Sequence, residues 1–341
     1  MSRETHIRRV LPLSVLDLSP ITKGSDAGRS LRNSADLARH VERLGYKRFW
    51  MAEHHSMPGI ASAATAVALA FVGSQTSTIR IGAGGVMLPN HAPLIIAEQF
   101  GTLEALFPGR VDLGLGRAPG TDQAAAYAMR RNLTSDANQF PNDVVELMGY
   151  LRGDNGRVRA IPGEGMDIPI WILGSSLFGA QLAAMLGLPY AFASHFAPQM
   201  MMEAIKVYRE NFEASEQLAE PYVMLGFNAI VADTDEEAEL LATSVQQAFV
   251  SLRTGNPIQL PPRAGYADEL PLEARAILRS ILSVSAIGSP GTARRQLTEF
   301  VERTKPDELM VTSQVFDHAA RLRSYELLMQ AVSQPSPALA K

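Results

Sequence analysis

With 341 residues, 46% of them hydrophobic and 19% charged, the chain is long enough to bury one large α/β core. A formal net charge of −4, with no basic cluster interleaved with aromatics, argues against nucleic acid and anionic membrane surfaces as partners and in favour of a small molecule. The absence of cysteine removes disulfides, thiolate metal sites and thiol nucleophiles, which fits a cytoplasmic location. Residues 1–10 carry Arg3, Arg8 and Arg9 without a following apolar run, and later apolar stretches are broken by Gly, Pro or charge, so neither export nor a membrane span is expected.

A strand over 10–18 comes first, followed by a helix over 28–44, where Leu31, Leu37, Ala38, Val41 and Leu44 repeat at helical spacing and Gly45 closes the turn. The pattern recurs: strand 48–52 with helix 61–75, strand 79–86 with helix 93–107, and strand 110–116 with helix 138–151. The second half gives strand 170–173 with helix 177–186, strand 190–194 with helix 198–214, strand 222–231 with an acidic-start helix over 235–252, and strand 308–312 with helix 317–331. Strands alternating with helices over one unbroken chain favour a closed (β/α)8 TIM barrel, a single domain over 1–341, rather than an open sheet. Residues 253–289 break the rhythm as an insertion before the eighth strand, with Pro257, Pro261 and Pro262 and a short helix over 271–282. It reads equally as a lid over the site or as a packed surface excursion. The tail over 333–341 reads as frayed.

In such a barrel, ligand-contacting groups gather just past the C-terminal ends of the strands. Gly174, Ser175 and Ser176 open a helix whose free N–H groups suit a phosphate, and Arg117 could supply a charge-assisted contact to the same group. The plainer alternatives are a serine N-cap and a rim salt bridge. Gly82-Ala83-Gly84-Gly85 would let a flat ring lie on strand backbone, or would serve close packing. His54 and His55 are adjacent and so point to opposite faces of an extended strand end, which rules out their sharing one metal ion in the usual way; no metal site is expected. One of them, aimed at the mouth beside Glu53, would transfer protons near neutral pH. His195 carries the same argument more weakly, and Asp17, His55, Met87 and His195 are the expected lining of a substrate pocket, made partly apolar by Met87, Leu88 and Phe196.

The block Phe49-Trp50-Met51-Ala52-Glu53-His54-His55 resembles the second-strand motif of bacterial luciferase and its relatives, and further matches follow in order. They are 79–85, Leu88-Pro89-Asn90-His91-Ala92-Pro93, Ala97-Glu98-Gln99, and the run from Pro108 to Arg117. The resemblance to the luciferase-like flavin monooxygenases is sharpest over 13–131 and continues through Gly174-Ser175-Ser176 and Ile287-Gly288-Ser289-Pro290. It implies a homodimeric (β/α)8 barrel that takes reduced FMN (FMNH2) from a separate flavin reductase and uses it with O2. By the same resemblance His54 is the proton-transfer histidine, Arg117 and Ser176 bind phosphate, and a non-prolyl cis peptide lies near Ala83 and Gly84 beneath the flavin ring. Gly116 stands where luciferase has its reactive cysteine, and Ala118-Pro119-Gly120 replaces a bulkier run, so aldehyde oxidation with light emission is not expected. Relatives on the same barrel use the deazaflavin F420 for hydride transfer, and others bind flavin without catalysis; both stand as alternative readings.

Overall fold

Apolar runs without polar alternation are what strands show when helices cover one face and a closed core the other. In the computed structural model, which describes residues 11–118, 125, 128, 129, 137–265, 270 and 272–333, the first half runs β1 (Leu13–Asp17), α1 (Ala27–Arg43), β2 (Arg48–Met51), α2 (Thr65–Ser74), β3 (Arg80–Met87), α3 (Pro93–Leu106), β4 (Val111–Gly116) and α4 (Phe140–Arg152). The second half adds β5 (Ile170–Gly174), α5 (Leu177–Met185), β6 (Tyr190–Phe192), α6 (Met201–Glu210), β7 (Val223–Val231), α7 (Asp235–Arg253), α8 (Leu272–Ile281), β8 (Ser285–Gly288), α9 (Pro290–Thr304), β9 (Glu308–Thr312) and α10 (His318–Ser333). Val10 of the expected first strand, Pro119 and Gly120, Pro271 and the tail beyond Ser333 lie outside the described residues. Among the described residues no helix is long and apolar enough to cross a membrane.

Eight strands close into a parallel barrel in the order β1 to β7 and then β9, which returns to pair with β1. These are the eight strands the sequence alternation predicts. The segment over 253–289 holds one strand the sequence reading left out: β8 pairs in parallel with the outer half of β7, Asn228↔Ser285 to Val231↔Gly288, outside the ring. Four residues followed by Ser289-Pro290-Gly291 carry too little pattern to separate a strand from a turn. β7 can serve both because it is nine residues long: its first half closes the barrel and its second half projects above it.

Period two then divides every strand. Val15, Phe49, Met51, Ile81, Val111, Leu113 and Ile172 join the large core between barrel and helices, while Leu16, Trp50, Trp171, Ala191, Met224 and Met310 fill the barrel interior. There the two indoles meet edge to face with centroids 5.2 Å apart, and Trp171 meets Tyr222 the same way at 5.6 Å. Glycines on β3 and β4 make that possible. A Cβ at Gly82 would lie 2.7 Å from Trp50 Nε1, and one at Gly114 would lie 2.3 Å from the Ala83 carbonyl.

The floor of the barrel is ionic. Arg48 donates from Nη1 to Asp112 at 2.7 Å and from Nε to Glu308 at 2.9 Å, and its guanidinium lies 4.8 Å from the Trp171 ring centroid. Arg80 and Trp50 Nε1 also donate to Asp112, and Lys47 and the Tyr222 hydroxyl to Glu308. Both carboxylates are fully buried, so each needs these donors to remain charged.

Candidate active site at the C-terminal ends of the strands

The opposite end of the barrel holds a cavity of about 50 Å³, room for one or two waters, lined by apolar side chains from β1, β2, β5, β6, β7 and β9 together with Gly84 and His195. On β3 the pairing with β4 jumps from Ala83↔Leu113 to Val86↔Leu115, so one extra residue is accommodated on β3. A cis peptide bond joins Gly84 to Gly85 within that bulge, one residue beyond the expected position. Of the expected ring platform, Ala83 turns its side chain into the helix-facing core, Gly85 backs onto Gly114, and Gly84 lines the cavity. A Cβ at Gly84 would come within 2.9 Å of Leu16 and 3.0 Å of Trp50, so the glycine run serves close packing around Trp50 as well as opening the mouth.

Arg117 and the serines share one rim. β4 and β5 are neighbours, with Gly116 opposite Leu173, and the Arg117 guanidinium lies 4.2 Å from the ring centroid of Phe178 in the first turn of α5. Ser176 is the N-cap residue of α5 by backbone conformation but makes no side-chain cap hydrogen bond. Among the described residues Arg117 has no carboxylate partner, so the rim salt bridge weighed from the sequence is not formed there. Gly174 ends β5 and passes the chain into this turn.

His195 follows β6. Its ring packs on the bare backbone of Gly226, where a Cβ would fall 2.0 Å from Nδ1, and Asn228 fixes its carbonyl with a 2.8 Å hydrogen bond. Nδ1 is shut off from solvent and has no hydrogen-bond partner among the described residues. Burial first, and then the nearby charge of His54, lower its pKa from 6.5 to about 4. His54 is therefore near enough for its charge to act on His195, and His195 is neutral at pH 7. Between pH 6.5 and 4 the unfolded chain binds a proton here that the native protein refuses, so stability is full above pH 6.5 and falls as the pH drops toward 4. Replacing His195 with Asn is expected to flatten that part of the urea-stability profile; an unchanged slope would show that His195 is not its source.

The remaining expected pocket residues sit elsewhere. Asp17 is fully buried and paired with Arg321 Nη2 at 2.6 Å, a partner 304 residues away that no local pattern announces, and it does not line the cavity. His55 and Met87 turn instead to Glu53: His55 Nε2 lies 2.7 Å from Glu53 Oε1, and the Met87 amide donates to Oε2 at 3.2 Å. The residues missed from the sequence are Glu53 as a hub, Arg321, and the interior pair Trp50 and Trp171. The alternation of β2 and β5 could have placed both tryptophans inside the barrel.

A closed parallel barrel that gathers its unpaired polar groups on the C-terminal rim belongs to the large class of barrels with their chemistry at that end. The chain is a member of the luciferase-like monooxygenase family, whose model matches residues 11–306. It is 51% identical over 325 residues to a luciferase-like monooxygenase of Escherichia coli (strain K12), covering 94% of this chain and 97% of the relative. It is 31% identical to the N-acetyl-S-alkylcysteine monooxygenase of Bacillus subtilis (strain 168), over 95% of this chain and 98% of the relative. The crystal structure of apo-MsnO8 superposes with a TM-score of 0.85 at 34% identity, covering 96% of this chain and 99% of that one. The fold recurs at 18% identity and TM-score 0.71 in the FMN complex of the oxygenating constituent of 3,6-diketocamphane monooxygenase from Pseudomonas putida, covering 95% of this chain and 98% of that one. It recurs again at 14% and 0.65 in an F420-dependent secondary alcohol dehydrogenase bound to an F420-acetone adduct, covering 95% and 99%.

Proposed function

We propose that the chain is an FMN-dependent monooxygenase that takes reduced FMN from a separate reductase and oxygenates a partly apolar small molecule. The observation that carries this reading is the common rim of Arg117 and the Ser175–Ser176 turn, with Arg117 stacked on Phe178 and free of any acidic partner among the described residues. A guanidinium, two hydroxyls and the free N–H groups of a helix start form a cradle for one dianionic phosphate. The cavity beside Gly84 lies at the same end of the barrel as this cradle. Bound there, FMN would supply the activation of O2.

The protein's own residues supply the rest. The apolar interior side chains exclude water, and His54 holds or transfers a proton at the mouth. In this reading the described part of the segment over 253–289 serves as a strap: Leu260 exchanges backbone hydrogen bonds with Ile21 and Lys23 beyond β1, Arg253 bonds the Phe196 carbonyl, and Gln199 bonds Ser280. The 31% identical relative named as an N-acetyl-S-alkylcysteine monooxygenase supports oxygenation over hydride transfer.

Replacing Arg117 with Ala removes a charge-assisted contact of about 1.5–3 kcal/mol, so the FMN dissociation constant should rise about 10- to 100-fold in a fluorescence titration. An unchanged constant, or preferential binding of F420 in a parallel titration, would overturn the assignment. Trypsin cleavage at Arg263, followed in the same samples, should slow when FMN is present if the strap closes over it.

A homodimer is part of this reading, and exposed apolar side chains on two helices support it. Val67 and Phe71 on α2 and Ile95 and Leu106 on α3 each share a helix face and are 72%, 41%, 45% and 59% exposed, an apolar patch in need of cover. Light scattering should give twice the chain mass, and Phe71→Glu should shift it toward the monomer.

A further inference from the structure

Outside the mouth cavity, the ends of β2 and β3 bring together three donor groups that the flavin reading does not use. Glu53 and His55 follow β2, and His91 closes the short turn after β3. Glu53 Oε1 lies 2.7 Å from His55 Nε2 and 2.8 Å from His91 Nε2, and the three ligand atoms all fall within 4.8 Å of one another. Both imidazoles converge on the same carboxylate oxygen, although Oε2 is beside it and already takes the Met87 amide. Donors arranged around one point in this way suit an ion better than they suit a hydrogen-bonded chain.

We propose that Glu53, His55 and His91 form a binding site for a divalent transition-metal ion, with Zn²⁺ the ion the donor set suits best. Two imidazole nitrogens and one carboxylate oxygen are a common three-ligand set for zinc, leaving a fourth position for water. In tetrahedral coordination, donors about 2.0–2.2 Å from the ion lie roughly 3.3 Å from one another. The two separations from Glu53 Oε1 must therefore widen by only about half an ångström, a movement side-chain torsions can supply. Metal binding requires the Nε2 lone pair of each histidine, so the ring proton must sit on Nδ1 in the metal-bound form.

The surroundings support the site. Glu53 is 2% exposed, so its carboxylate depends on the partners that surround it, His91, His55 and the Met87 amide. The Met87 amide also fixes the carboxylate so that Oε1 faces the two rings. Both histidines keep a solvent-facing edge, with side-chain exposures of 21% and 27%. A second cavity, about 110 Å³, opens beside Glu53 and His91 toward Thr65 and Gln99, with room for the water that would complete the coordination. It shares no lining residue with the mouth cavity, so the metal site stands independently of the flavin reading.

The test uses the full chain, stripped with EDTA and then freed of chelator. Calorimetric titration with Zn²⁺ should show one ion per chain, and Co²⁺ should give the visible absorption of a four-coordinate centre. Glu53→Gln and His91→Gln, which keep side-chain volume, should each weaken Zn²⁺ binding about tenfold or more. His318→Ala, which removes the surface pair with Asp36, should leave it unchanged. Wild-type binding that is absent, or indifferent to both glutamine variants, would overturn the proposal and leave Glu53 as a hydrogen-bond hub only. FMN titration of the same preparations reads the flavin assignment separately, so either can fail without the other.

Discussion

Replacing Arg48 with methionine should cost the protein about 3–5 kcal/mol of stability, the range expected when one partner of a buried ion pair is removed. Arg48 bridges Asp112 and Glu308 on the barrel floor, and both carboxylates are fully buried. Burial disfavours its charge, but the two carboxylates outweigh that penalty and raise its pKa. Methionine fills much of the space over Trp171 while leaving two buried anions short of a donor, and Arg80 and Lys47, already engaged with one carboxylate each, cannot span the gap. Trp50 and Trp171 are the chain's two tryptophans and both adjoin the network, so urea unfolding followed by their fluorescence reads the change where it occurs. The midpoint should fall with the slope unchanged. A loss below about 1 kcal/mol would mean that the floor is solvated and that its charges resemble surface pairs. Combining Arg48→Met with Glu308→Gln should recover part of the loss, because the second change removes one stranded charge.

Replacing His54 with Ala should reduce turnover by about 10²- to 10⁴-fold, the usual contribution of a positioned acid or base, while leaving FMN affinity nearly unchanged. The separation of the two effects follows from position. His54 follows β2 and its charge acts on His195, whereas the groups proposed to hold the phosphate follow β4 and β5. Mixing variant and wild-type protein, each loaded with reduced FMN, with oxygenated buffer and following flavin reoxidation by absorbance separates chemistry from binding. Turnover equal to wild type would remove His54 from the mechanism, and a loss of FMN affinity of the same size would make it a binding residue instead.

The eight barrel strands, and the strand-end positions of His54, Arg117, Gly174 to Ser176 and His195, follow from the sequence by itself. Apolar runs bounded by turn residues and alternating with amphipathic helices leave few topologies, and a parallel barrel delivers every strand's C-terminal end to one rim. Which of these residues meet was decided only by the tertiary structure. Asp17 reads as a rim residue until Arg321, from the last helix, pairs with it in the core. His55 reads as part of the substrate pocket until Glu53, which it shares with His91, takes its ring nitrogen. The Gly82–Gly85 run reads as a platform until Trp50 packs into the space the missing side chains leave. Burial and pairing depend on contacts between residues far apart in the chain, and periodicity, a local property, specifies the face a side chain takes but not the partner it finds there.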